Sequence, residues 1–162
     1  MKLNFKIFIV LLLSAQNIYA DENYTFGIGF GGSTYGGLGT NIGLVSDSDM
    51  KYLSAGLKGY QSYGGAVYSI GIGWIKTDLI SSDSNNHGIG VYVGLVDQEY
   101  YYVKENNDYL EKSRNIYGYG LTYNYFFNGI SNSGTNLGLS LINYSYSYEN
   151  SVMLSLEIGY QF

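Results

Sequence analysis

Val152-Met153-Leu154-Ser155-Leu156-Glu157-Ile158-Gly159-Tyr160-Gln161-Phe162, the last eleven residues of the chain, are the stretch whose reading decides the fold. Every even position is apolar or aromatic, while Met, Ser, Glu, Gly and Gln occupy the odd ones. A period of two belongs to a strand with two unlike faces. Eleven residues is also close to the 9–11 that a strand needs to cross a bilayer at barrel tilt.

Working back from that strand, the same alternation recurs seven times. Tyr24, Phe26, Ile28 and Phe30 alternate with Thr and Gly, and Leu38, Thr40, Ile42 and Leu44 mark a second strand. Leu53, Ala55 and Leu57 mark a third, opposite Ser54, Gly56 and Lys58. Ala66 to Trp74 and Ile89 to Leu95 supply the fourth and fifth, and Tyr117 to Phe127 the sixth. The seventh begins with Leu137, Leu139 and Leu141, but Tyr144, Tyr146 and Tyr148 fall on the opposite parity. A bulge near Ile142 would realign them; without one they point inward. Turn formers sit between strands at Ser46-Asp47-Ser48-Asp49, Asn128-Gly129 and Glu149-Asn150. The expected fold is therefore all-β, an eight-stranded antiparallel up-and-down transmembrane barrel. An even strand count lets a chain that enters and ends on one side close on itself.

Composition agrees with this reading. Twenty Tyr, 23 Gly and no Pro suit a sheet, since Pro cannot donate to a ladder and Tyr favours strands and bilayer interfaces. Only 13% of residues are charged, and the mean hydropathy is −0.05. The Gly-x-Gly run Gly27-Ile28-Gly29-Phe30-Gly31-Gly32 has no following helix, which argues against a dinucleotide loop. Inward glycines instead make room for inward Tyr and Lys, because eight strands leave an interior only wide enough for side chains. The absence of Cys excludes disulfides, thiolate metal sites and a cysteine nucleophile.

The first twenty residues read differently. Lys2 and Lys6 precede the apolar run Ile7 to Leu13, and the stretch ends Ile18-Tyr19-Ala20. This is the pattern of a secretory signal peptide, with cleavage expected before Asp21; the apolar run is too short to span a bilayer as a helix. The expected division is residues 1–20 as signal and residues 21–162 as one barrel domain. Removing Lys2 and Lys6 leaves six basic against 13 acidic residues, a formal charge of −7, which argues against nucleic acid as a partner.

At the level of pattern the mature chain resembles the small eight-stranded outer-membrane proteins of Gram-negative bacteria, of the OmpX/Ail type and the membrane domain of OmpA. The most specific element of the resemblance is the terminal Tyr160-Gln161-Phe162, similar to the signal that the barrel-assembly machinery reads in this class. The resemblance implies the cell outer membrane as location, with its lipid and lipopolysaccharide as surroundings, a monomeric state, and adhesion or surface protection as the role of protruding strands.

Chemistry is sparse. Barrel enzymes that modify lipid A use Ser, His and an acid at the outer rim. Here the single His87 lies in Ser81-Ser82-Asp83-Ser84-Asn85-Asn86-His87-Gly88, which strand counting places at the periplasmic rim as a solvated loop. His87-Gly88-Ile89 also departs from the His-x-Ser arrangement of the deacylase PagL. No catalytic, cofactor or metal residue is therefore assigned. Lys58 and Glu157 fall on inward parity in mid-strand. Each is costly to bury alone, so they are expected to pair with each other or with inward Tyr and Asn, as a polar plug or as the lining of a gated pore.

The richest connection runs from Asp97 to Arg114 and holds eight charged residues beside a cluster of aromatics. Asn106-Asn107-Asp108 marks a hairpin tip, so the fifth and sixth strands should continue beyond the membrane as a raised ribbon. Tyr100, Tyr101, Tyr102, Lys104, Tyr109 and Arg114 are the candidate interaction residues, because exposed Tyr beside mixed charge is the chemistry of recognition surfaces. The leading expectation is a non-enzymatic barrel presenting this loop to a host or surface protein, or to lipopolysaccharide. The alternative is a narrow channel for small or hydrophobic solutes, as in OmpW-type barrels, and a lipid-modifying enzyme ranks below both. A soluble β-sandwich or a Gly/Tyr-rich fibril is the remaining fold alternative.

Overall fold

The alternating stretches form eight strands: β1 (Asn23–Gly31), β2 (Gly37–Val45), β3 (Asp49–Gln61), β4 (Gly65–Lys76), β5 (His87–Glu105), β6 (Asp108–Phe126), β7 (Gly134–Ser145) and β8 (Asn150–Gln161). The structure, a computed structural model, describes residues 23–62, 64–80, 85–105 and 108–162. The expected signal segment 1–20, Ser81 to Ser84, and Asn106 and Asn107 of the expected hairpin tip lie outside the described residues.

Each strand pairs antiparallel with its sequence neighbours, and β1 pairs with β8, closing the barrel in simple up-and-down order. One end carries Asn23, the chain terminus and the turns after β2, β4 and β6; we call it the terminal end. The other carries the turns after β1, β3, β5 and β7.

Side chains divide as a period of two requires. The outer face displays Phe26, Ile28, Ile42, Ile70, Val91, Leu121, Leu139, Leu154 and Leu156. Aromatics flank this band at both ends: Tyr24, Trp74, Phe127 and Phe162 at the terminal end, and Tyr60, Tyr68 and Tyr117 at the other. The inner face fills the lumen in layers. Val45, Met50, Tyr52, Ile75, Phe126 and Ile130 close the terminal end. Tyr92, Val96, Ile116 and Ile142, with Tyr144, Tyr146 and Met153 against them, fill the opposite end. Each fully buried aliphatic side chain in these layers contributes roughly 1.5–3 kcal/mol.

Glycines on the inner face make this filling possible. A Cβ on Gly73 would strike the Tyr52 ring, one on Gly71 the Tyr92 ring, and one on Gly29 or Gly159 the Tyr35 ring. The pairing of β7 with β8 runs through Ile142↔Met153 without a shift. No bulge realigns the seventh strand, so Tyr144 and Tyr146 point inward, while Tyr148 stands exposed in the following turn.

Among the described residues two irregularities do occur, one in β3 between Leu57 and Gly59 and one in β5 between Leu95 and Asp97. Each leaves one residue, Lys58 or Val96, without a cross-strand partner. Closure is uneven as well: β8 pairs with β7 over its whole length, from Gln161 to Asn150, but with β1 only from Gln161 to Ile158.

Candidate interaction surface and lumen plug

Beyond Leu95 and Gly118, β5 and β6 leave their other neighbours and pair only with each other, from Asp97↔Ile116 to Glu105↔Asp108. Nine pairs at about 3.3 Å each make a ribbon roughly 30 Å long. The period of two splits it into unlike faces. Tyr102 and Lys104 share one face with Tyr109, which lies directly opposite Lys104; Tyr101 belongs to the other face, with Lys112, Val103 and Leu110. Tyr102 and Tyr109 are 62% and 71% exposed, enough to meet a partner with most of each ring.

Of the six residues expected to form this surface, the structure brings Tyr102, Lys104 and Tyr109 together and sets Tyr101 behind them. Tyr100 and Arg114 act lower down. The Tyr100 hydroxyl lies 3.0 Å from the Gly64 carbonyl and 2.7 Å from Gln98 Oε1, bracing the ribbon against the β3–β4 turn. Arg114 Nε donates to Glu99 Oε2 at 2.6 Å, and Ser147 Oγ donates to the same oxygen at 3.1 Å. The ribbon is thus held at its base and exposed above.

The two bulges meet at that base. Lys58 Nζ donates to the Val96 carbonyl at 2.6 Å and to Asp97 Oδ2 at 2.8 Å. Bulging re-aims each residue: one presents its ammonium and the other a carbonyl freed from the ladder. Asp97 also accepts from its neighbour's Gln98 N–H and from Tyr146 Oη. Partial burial by itself would raise the Asp97 carboxyl, but the Lys58 and Gln98 hydrogen bonds, with the Lys58 charge, outweigh it and hold the group below its ordinary range. Lys58 and Glu157 accordingly do not pair with each other, because the bulge carries Lys58 to the rim and Asp97 takes it there.

Glu157 finds a different partner. After Gly31 the chain turns inward, so the β1–β2 connection enters the lumen, and Ser33, Thr34 and Tyr35 are each 1% exposed or less. Gly31 makes that turn at φ +150°, where a Cβ would also strike Glu157. Ser33 N–H (3.0 Å) and Ser33 Oγ–H (2.5 Å) donate to Glu157 Oε1, as does Ser140 Oγ–H at 2.7 Å; Thr34 N–H donates to Oε2 at 3.1 Å. Successive backbone N–H groups cradling an anion form a nest. Tyr35 Oη reaches Asn136 Oδ1 at 2.8 Å, and Ser54 Oγ donates to the Ser33 carbonyl at 2.8 Å. The polar plug expected around Glu157 is therefore built from a loop, Gly31-Gly32-Ser33-Thr34-Tyr35-Gly36-Gly37, which the alternation leaves simply as the connection between the first two strands. The usable signal was a lone inward acid that needed donors.

His87 was expected in a solvated loop and is instead the first residue of β5, on its outer face. Its Nδ1 lies 2.7 Å from Tyr123 Oη and its ring centroid 5.0 Å from that of Tyr125. The parity of Ile89 and Val91, carried two residues back, places it there. At the chain end, Phe162 N–H donates to the Phe26 carbonyl at 2.8 Å, and the Phe162 ring packs between Phe26 and Tyr160. The terminal residues therefore help close the seam. No family model, curated protein or solved structure matches this chain.

Proposed function

We propose that this protein is an exported outer-membrane barrel, without enzymatic activity, whose β5–β6 ribbon is a surface for interaction with a host or surface protein or with lipopolysaccharide. The observation that carries the proposal is the ribbon itself: nine pairs made only between β5 and β6, the lower ones braced against the barrel through Lys58–Asp97, Tyr100–Gly64 and Ser147–Glu99, the upper ones carrying exposed Tyr102, Lys104 and Tyr109. Ordering such a ribbon costs conformational entropy, which its base contacts offset while the upper aromatics remain available.

Three features support the membrane part of the reading. The outer face is apolar on all eight strands and bordered by aromatics, as lipid requires of a spanning barrel. The first twenty residues have the pattern of a signal peptide. The ending Tyr160-Gln161-Phe162 resembles the assembly signal of the OmpX/Ail type, and the protruding ribbon is similar to what that type uses for adhesion. A lumen occupied by the β1–β2 loop and two apolar layers weighs against the channel alternative.

The test replaces residues 98–115 by a two-residue Asn-Gly turn and compares this variant with the intact protein. Both should show the heat-modifiable gel shift of a folded barrel and no discrete currents in a planar bilayer. Only the intact form should give cells adhesion to host-cell layers or resistance to serum. Equal adhesion and resistance without the ribbon would remove it from the function, and discrete currents from the intact protein would favour the channel.

A further inference from the structure

Among the described residues, the uneven closure of the barrel leaves a backbone edge with no strand beside it. Because β1 leaves the sheet at Gly31, β8 continues above its last β1 partner pair, Phe30↔Ile158, from Leu156 to Asn150. The N–H and C=O of one strand residue point to the same side, and successive residues alternate. Phe162 N–H bonds to β1, so the even residues of β8 face the seam and the odd ones face β7. Val152, Leu154 and Leu156 therefore turn their backbone groups toward a gap. Gly32 N–H crosses part of it, but to Ser155 Oγ at 2.9 Å rather than to the β8 backbone, and Ser155 Oγ reaches the Leu156 carbonyl only at 3.5 Å. The far wall of the gap is β3, which continues past Leu57, its last residue paired with β2, opposite Leu38. The floor is the glycine-rich bend from Gly31 to Gly37. Behind the edge lies a cavity of about 180 Å³, whose lining includes Phe30, Gly32, Lys58, Met153 and Ser155.

We propose that this notch is a strand-addition site, which takes an extended polypeptide segment of a partner protein alongside the upper half of β8. Backbone groups at Val152, Leu154 and Leu156 repeat every two residues, about 7 Å, and another strand's backbone matches that repeat along its whole length. The same three residues carry outward side chains 61–74% exposed. The added strand would set its outward residues beside them, apolar to match, and turn its alternate side chains toward the cavity, which has room for small ones. The edge follows from the fold alone.

The experiment uses the full mature chain in lipid nanodiscs, with a synthetic heptapeptide of alternating Val and Ser as the probe and amide hydrogen exchange as the readout. Without peptide, the Val152, Leu154 and Leu156 amides should exchange at least about tenfold faster than those of Ile158 and Tyr160, which sit within or beside the β1 pairing. Peptide should slow the first three saturably. Leu154→Pro removes an N–H that faces only the gap, so the β7 ladder and the heat-modifiable shift should survive while peptide affinity falls about tenfold, as one lost edge hydrogen bond predicts. Slow exchange in the free protein would mean that the chain itself or the surrounding lipid already covers the edge. Fast exchange that responds to lipid composition but not to peptide would make lipid the cover. Either result overturns the proposal, whereas loss of the gel shift in the unaltered protein would count against the barrel in lipid instead.

Discussion

At Glu157 one carboxylate organises the centre of the lumen. Its four donors are neutral, so the charge is stabilised by hydrogen bonds rather than by a cation. Glu157→Gln puts an amide NH₂ against groups that already donate, which should destabilise the barrel by about 2–4 kcal/mol, measured by urea unfolding in lipid vesicles. A change below about 0.5 kcal/mol would mean that the loop does not depend on the nest. Packing beside it is equally specific. Gly159→Ala drives a methyl into the Tyr35 ring and should cost about 1–3 kcal/mol, most of which a second change, Tyr35→Leu, should recover. Lack of recovery would place the strain elsewhere. Inward glycine beside inward tyrosine was legible from alternation and from the size of an eight-stranded barrel. Which glycine faces which ring was not, because that depends on the register between strands.

For the ribbon, the element that matters is its base, where Lys58 of one bulge grips Val96 and Asp97 of the other. The Asp97 pKa is lower in the folded protein than in the unfolded chain, so its contribution is fully present above the unfolded value. It is lost as pH falls through the folded one. Exchange at the Gln98 amide, which Asp97 holds directly, should therefore be unaffected by tether loss between pH 7 and pH 5, once corrected for intrinsic rates. It should begin to accelerate only below about pH 4. Asp97→Asn should show the acid behaviour already at neutral pH, and a Gln98 amide insensitive to both changes would show that the tether does not hold the ribbon. The ribbon was visible in the sequence as a long polar and aromatic connection with a turn former at its tip. Its anchoring was not, since Lys58 and Asp97 are 39 positions apart and the bulges that bring them together leave no mark on the alternation.

Over the whole molecule, the proposed setting makes two further demands. Leu154→Arg, on the outer face of β8, should cost about 2–4 kcal/mol of folding free energy in lipid, and no change there would remove Leu154 from the lipid face. Deleting Phe162 breaks its bond to Phe26 and the aromatic cluster at the seam. Fractionation should then show export intact and the folded, surface-exposed form reduced, and unchanged surface levels would argue against an assembly role for the terminal residue. Strand number, strand order and the inward or outward sense of most side chains were determined by the sequence itself, because each is a local consequence of a period of two and of turn formers between runs. The inserted β1–β2 loop, the Lys58–Asp97 pair, the place of His87 beside Tyr123 and the short β1–β8 seam were decided only by tertiary structure. Each depends on how far neighbouring strands extend past one another and on which groups closure brings to the same height, and those are relations between segments distant in the chain.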